Sequence, residues 1–196
     1  MATAVAQSVS EIDAWKSRLT EIVRNESFIH GREIRLASGR TSNFYFNLKP
    51  TMLAPEGAKI ITDLILNLLR GANIDYVGGL AVGAIPLIAN VSLASADTGR
   101  PTPGFFVRKV KKIHGTKLGI EGLRDLTILA GKTAVILDDV TTTGGSALSA
   151  VEVVRAEGCA VHKVITVVDR MEGAAENLSK HHLTLVPLLT AEDFSV

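Results

Sequence analysis

Residues 133–158 confine the fold more tightly than any other stretch of the chain. The run AVIL (134–137) is continuously apolar and ends in two carboxylates, Asp138 and Asp139. Val140 leads into a turn of hydroxyls and glycines, Thr141, Thr142, Thr143, Gly144, Gly145 and Ser146. A helical pattern then runs over 146–157 and stops at Gly158. Unbroken apolar strands are buried on both faces, which happens in parallel sheets covered by helices. VITVV (164–168) repeats the signature.

The rest of the chain fits that frame. Ile12, Trp15, Leu19, Ile22 and Val23 predict a helix over 11–26. Short strands are expected at 34–36 and 44–48, around a turn at Ser38 and Gly39. Pro55 and Gly71 bracket a helix over 55–70. Strand 76–79, helix 86–96, strands 104–107 and 133–137, helix 146–157, strand 161–168, helix 173–180 and strand 184–189 follow. The expected fold is α/β, a doubly wound parallel sheet flanked by helices, with a small N-terminal helix/strand subdomain. A length of 196 residues suits one domain over 1–196, divided into an N-terminal portion (1–54) and a core (55–196). Ligands in such folds bind beyond the carboxyl ends of the strands.

The turn at 141–146 has the chemistry of a phosphate cradle. Glycines let backbone N–H groups converge, threonines add donors, and the helix N-terminus adds positive potential. Asp138 and Asp139 are placed to accept hydrogen bonds from ribose hydroxyls. The ordinary alternative is a strand–helix turn capped by Ser146, which needs neither the paired carboxylates nor three threonines. Gly131, Lys132 and Thr133 imitate the end of a nucleotide-binding P-loop, but the glycine required five residues upstream is Leu126, and Lys132 opens a strand.

VILDDVTTTGGS (135–146) resembles the phosphoribosyl-diphosphate (PRPP) motif of type I phosphoribosyltransferases. That resemblance implies that Asp138, Asp139, Val140, Thr141, Thr142, Thr143, Gly144, Gly145 and Ser146 bind PRPP. It leaves the base open.

A second resemblance, carried by a basic segment, narrows the base. The chain holds 21 Lys and Arg against 20 Asp and Glu. Five of the basic residues, Arg108, Lys109, Lys111, Lys112 and Lys117, crowd into 108–117 with His114, leaving a body of 16 basic and 20 acidic groups. A balance near zero argues against a nucleic-acid coat, and no aromatic platform interleaves with the basic run. Cations closing over a departing diphosphate would stabilise its charge and exclude water. The pattern R-K-x-x-K-x-H-G at 108–115, with Phe105, Phe106 and IEG (120–122), is similar to the catalytic loop of orotate phosphoribosyltransferases. The resemblance implies a mobile catalytic loop at 108–122. Lys112 and His114 would meet the diphosphate in the transition state, Arg108 and Lys109 would also bind PRPP, and the Asp138/Asp139 pair would stabilise the ribosyl cation. It further implies a homodimer with shared active sites. Residues 36–47 resemble the family's base-covering segment, with Tyr45 and Phe46 as its aromatic pair against orotate. Asp169 and Arg170 match the family's D-R pair, so Arg170 and Thr142 would touch orotate; the ordinary reading of Arg170 is a structural ion pair. Ala37 and Gly83 stand where some members carry lysine. The reaction implied is orotate plus PRPP giving orotidine 5′-phosphate and diphosphate, in UMP biosynthesis.

No His/Asp/Glu spacing suggests a metal site built by protein ligands; Mg²⁺ is expected on the diphosphate. One cysteine excludes a disulfide framework. The first ten residues lack a signal-peptide pattern. Residues 76–96 are uncharged and long enough to span a bilayer, but glycines and Pro86 break them into strand and helix. No membrane or nucleic-acid partner and a cytoplasmic location are expected. Two alternatives remain, a phosphoribosyltransferase for a purine or uracil and a non-catalytic PRPP-binding transcriptional regulator.

Overall fold

The computed structural model describes residues 8–35, 41–112 and 115–196. At its centre β3 (Tyr76–Gly78), β6 (Thr133–Thr141), β7 (Ala160–Asp169) and β8 (Thr184–Thr190) form a parallel sheet in the order β3-β6-β7-β8. Parallel bridges Val77–Gly104 and Leu80–Val107 add residues 104–107 on the other side of β3. The chain thus steps outward one way from β3 and the other way through β6, β7 and β8. That reversal is the switch point where open α/β sheets bind ligands.

Alternate residues of β6 explain its apolar run. Val135 and Leu137 pack, with Ile165 and Val167 of β7, against the layer of α3 (Pro55–Leu69) and α4 (Ile85–Ser95) through Ile61, Leu64, Leu87 and Val91. Ala134 and Ile136 face the other way, onto Ala147, Ala150, Val151 and Val154 of α5 (Gly145–Ala156) and Leu178 of α6 (Ala174–Ser179). Both faces are therefore buried, as the sequence implied. Residues 76–96 are divided between β3 and α4, and no helix among the described residues is long and apolar enough to cross a membrane.

The N-terminal portion is α1 (Val9–Glu26), the antiparallel pair β1 (Phe28–Arg35) and β2 (Thr41–Phe46), and a short α2 (Lys49–Leu53). Ser8 and Glu11 cap α1 reciprocally, at 3.3 Å from the Glu11 amide to Ser8 Oγ and 2.8 Å from the Ser8 amide to Glu11 Oε2. Phe28 and Phe46 stack, and Phe194 meets them tilted and edge-on, with ring centroids 4.9–5.2 Å apart. The Arg24 guanidinium lies over Phe194 and donates to the Asp193 carbonyl at 2.9 Å. The C-terminal turn is thereby fastened to the N-terminal portion.

Several local features differ from the sequence expectation, and the N-terminal strands run over 28–35 and 41–46 rather than 34–36 and 44–48. Strand β6 continues to Thr141 rather than ending at 137, because residues 138–141 still pair with 166–169 of β7. Helix α5 is capped by Gly144 at φ 79° rather than by Ser146; the tight turn needs a positive φ that serine adopts poorly. Helix α2 is too short to show a period. The basic segment, which has no periodicity in sequence, is a hairpin of β4 (Phe106–Lys112) and β5 (Gly115–Glu121). Its ladder runs from Phe106↔Glu121 to Lys112↔Gly115, and backbone pairing needs no alternation of side chains.

Candidate active site

Two loops meet at the switch point. Beyond β3, Gly79 lies so close to β6 that a Cβ would strike the Leu137 carbonyl and Ala84. A Cβ on Gly83 would sit 2.5–2.7 Å from the Asp139 carboxyl atoms. The loop at 79–83 therefore lies against the carboxylates at the end of β6, and glycine permits both approaches. Lysine at 83 would have to push Asp139 aside, which gives the Gly83 departure a steric meaning.

Asp138 is 6% exposed, and its Oδ2 accepts from Thr141 Oγ1 at 3.1 Å. Burial first, and the neighbouring Asp139 charge second, push its carboxyl up to about 7. Between about pH 4, where an unfolded aspartate ionises, and about pH 7 the native chain holds a proton that the unfolded chain has lost. Stability therefore falls as pH rises through that window. Asp138→Asn is expected to flatten this slope and to be more stable than wild type above it, as read from urea unfolding at about pH 5 and about pH 8. An unchanged slope in the variant would acquit Asp138.

Thr141 is buried, while Thr143, Gly145 and Ser146 are exposed around the mouth of the turn, with Val140 and Thr142 half-buried. The Thr143 carbonyl accepts from Asn177 Nδ2 at 2.8 Å, and the Leu178 side chain closes on Gly144. The turn is thus buttressed from α6, leaving the α5 amino end open to an anion.

Arg170 is joined to this turn through the backbone. Its N–H donates to the Thr141 carbonyl at 2.9 Å. Its side chain is 2% exposed, an unusual place for a guanidinium. Nη2 donates to Ser42 Oγ at 3.0 Å and lies 2.7 Å from Glu172 Oε1. The Phe44 ring covers the guanidinium at 4.4 Å, and Nε is buried without a hydrogen-bond partner. The structural ion pair considered for Arg170 exists, and it leaves a buried donor unspent.

The two aromatics expected to cover the base lie on opposite faces of β2. Phe46 is 2% exposed and belongs to the Phe28–Phe194 cluster, so its ring is used in the core. Tyr45 is 37% exposed on the opposite face of β2. Ser42 and Phe44, part of the 36–47 segment but not singled out in the sequence, are the β2 residues that touch Arg170. Period-two counting from the buried Phe46 would have found them. Glu172 was also missed.

In the basic hairpin, Arg108 pairs through Nε with Glu121 Oε1 at the base of the ladder. The backbones of Lys109 and Lys112 lie in β4. His114 and Ala37 lie outside the described residues. Phe105, Val107 and Ile120 pack beside α5, which anchors the hairpin next to the turn at 141–146. Lys132, the P-loop imitator, pairs with Asp75 at 3.5 Å on the opposite end of β6.

A glycine-hydroxyl turn and a carboxylate pair at the switch point of a parallel sheet place the chain in the phosphoribosyltransferase class. Residues 51–185 match the family model described as the phosphoribosyl transferase domain. An orotate phosphoribosyltransferase of Rhodopseudomonas palustris (strain BisB5) is 51% identical over 181 residues, covering 92% of this chain and 96% of the relative. One from Sorangium cellulosum is 41% identical over 180 residues, covering 91% and 92%. The crystal structure of the Mycobacterium tuberculosis H37Rv orotate phosphoribosyltransferase in complex with PRPP superposes with a TM-score of 0.75 at 32% identity, over 93% of this chain and 99% of that one. The chain belongs to the orotate phosphoribosyltransferase family.

Proposed function

We propose that this chain transfers the 5-phosphoribosyl group of PRPP to orotate, giving orotidine 5′-phosphate and diphosphate on the route to UMP. The observation that carries this reading is the bond from the Arg170 amide to the Thr141 carbonyl. It joins the backbone of a residue whose buried guanidinium suits a carboxylate-bearing base to the start of the turn that suits a ribose phosphate.

In this reading Thr141–Ser146 grips the 5-phosphate through backbone N–H groups and hydroxyls. Asp138 and Asp139 hold the ribose hydroxyls and place negative field beside the cationic C1. Arg170 and Thr142 orient orotate, and Tyr45 covers it. The orotate nitrogen attacks already deprotonated, so no side chain need act as nucleophile. Arg108, Lys109, Lys112 and His114 receive the charge that develops on diphosphate. Dimerisation would complete each site with a partner's basic loop, and a cytoplasmic location suits the substrates.

The site's donors fit Mg²⁺ carried on the diphosphate rather than caged by protein. Asp138 is buried and accepts from Thr141 through one oxygen, leaving Asp139 as the more exposed carboxylate. No group of three or more metal-ligating side chains occurs among the described residues. Bound there, Mg²⁺ would neutralise diphosphate charge.

The decisive measurement is loss of orotate absorbance with PRPP and Mg²⁺, alongside hypoxanthine and uracil controls. Turnover of orotate alone is expected. Absence of orotate turnover by folded protein would overturn the proposal, and turnover of a control base would favour another phosphoribosyltransferase. A non-catalytic regulator would bind PRPP and turn over none of the three.

A further inference from the structure

The surroundings of Arg170 hold one group that substrate binding alone does not explain. Glu172 Oε1 lies 2.7 Å from Nη2, while Nε on the same edge is buried and lacks an acceptor. The contact is an ion pair without the alignment of a hydrogen bond; the aligned acceptor on Nη2 is Ser42 Oγ at 3.0 Å. Glu172 reaches this place through a local turn. Asp169 Oδ1 accepts the Met171 N–H at 2.9 Å, Met171 takes φ 59°, and the chain folds back so that residue 172 meets residue 170. Non-glycine residues seldom adopt that φ, so this backbone is held by its surroundings.

A guanidinium sealed from water is costly unless an anion accompanies it. Glu172 is the only carboxylate paired with Arg170 among the described residues, and its side chain is 31% exposed, so it can turn outward into water. A planar carboxylate arriving along the Nε–Nη2 edge would make two aligned hydrogen bonds, including one to the unspent Nε. Glu172 would surrender a charge contact only.

Resting on the reading of Arg170 as the orotate carboxylate's partner, we infer that Glu172 is a resident counter-ion displaced by the carboxylate of the base. It positions Arg170 and keeps its charge compensated while the base site is empty. It then opposes orotate by the free energy needed to break the pair. One anion replaces another, so the buried charge stays balanced throughout.

Equilibrium binding tests this by titration calorimetry with orotate, with its neutral carboxamide analogue and with PRPP. Glu172→Gln is expected to tighten orotate by about fivefold or more, to leave the carboxamide and PRPP unchanged, and to lower the Tm of the ligand-free protein with recovery on adding orotate. Glu172→Asp, which withdraws the charge by one methylene, should tighten orotate to an intermediate degree, and it decides the matter if the glutamine variant does not fold. Unchanged or weakened orotate binding, or equal tightening of the carboxamide, would overturn the inference. A wild-type protein that turns over orotate while its variants fail these tests loses only the counter-ion role. A wild-type protein that does not turn over orotate loses the proposed function itself.

Discussion

Arg170→Gln is expected to lower kcat/KM for orotate by about a thousandfold while PRPP affinity changes little. Truncating one partner of a buried charge pair costs roughly 2–5 kcal/mol, and each 1.4 kcal/mol is about a factor of ten. Glutamine keeps a donor for Ser42 and removes the charge, so the loss reports on carboxylate recognition. The fold should survive, because Glu172 is exposed enough to be solvated once its partner is gone. The controls are thermal unfolding and PRPP binding in the same variant. A loss of less than tenfold with both controls intact would mean that Arg170 serves the structure and that the base carboxylate is read elsewhere.

Lys112→Ala is expected to reduce kcat by about two orders of magnitude, the scale of one preorganised electrostatic donor. Its backbone is in the basic hairpin, opposite Gly115 in the ladder. Charge moves to the leaving diphosphate mainly in the transition state, so kcat should suffer more than the KM of either substrate. Near-wild-type turnover would remove Lys112 from the mechanism. An equal rise in PRPP KM with kcat preserved would make it a ground-state ligand.

The two variants test residues that were legible in the sequence to different depths. Lys112 stands out because five cations and a histidine interrupt an otherwise mildly acidic chain, and that contrast survives any fold. Arg170 was recognised from its place after a strand and from its neighbour Asp169. Its environment was not legible, since Ser42 reaches it across 128 residues of chain. The aromatic pair shows the same divide. Strand propensity marks residues 44–48, of which 44–46 lie in β2, but which rings face the core depends on register, and a one-residue shift exchanges the faces. Phe194 anchors that register by entering the Phe28–Phe46 stack from the far end of the chain. Gly144 is comparable, since a glycine two residues before a serine at a helix start permits either as the cap until φ is known.

Composition and order alone were sufficient for the parallel α/β core, because a strand buried on both faces must be apolar throughout. They were also sufficient for the glycine-hydroxyl turn between β6 and α5, because glycine, threonine and aspartate act there through local backbone geometry. Residues distant in the chain had to be brought together before the rest acquired meaning. The raised Asp138 carboxyl follows from burial beneath the meeting loops, the Gly83 approach from the packing of one loop on another, and the Arg170–Glu172–Ser42–Phe44 cluster from a hairpin laid over the end of β7. Desolvation and register are properties of that assembly, and no short stretch of sequence contains them.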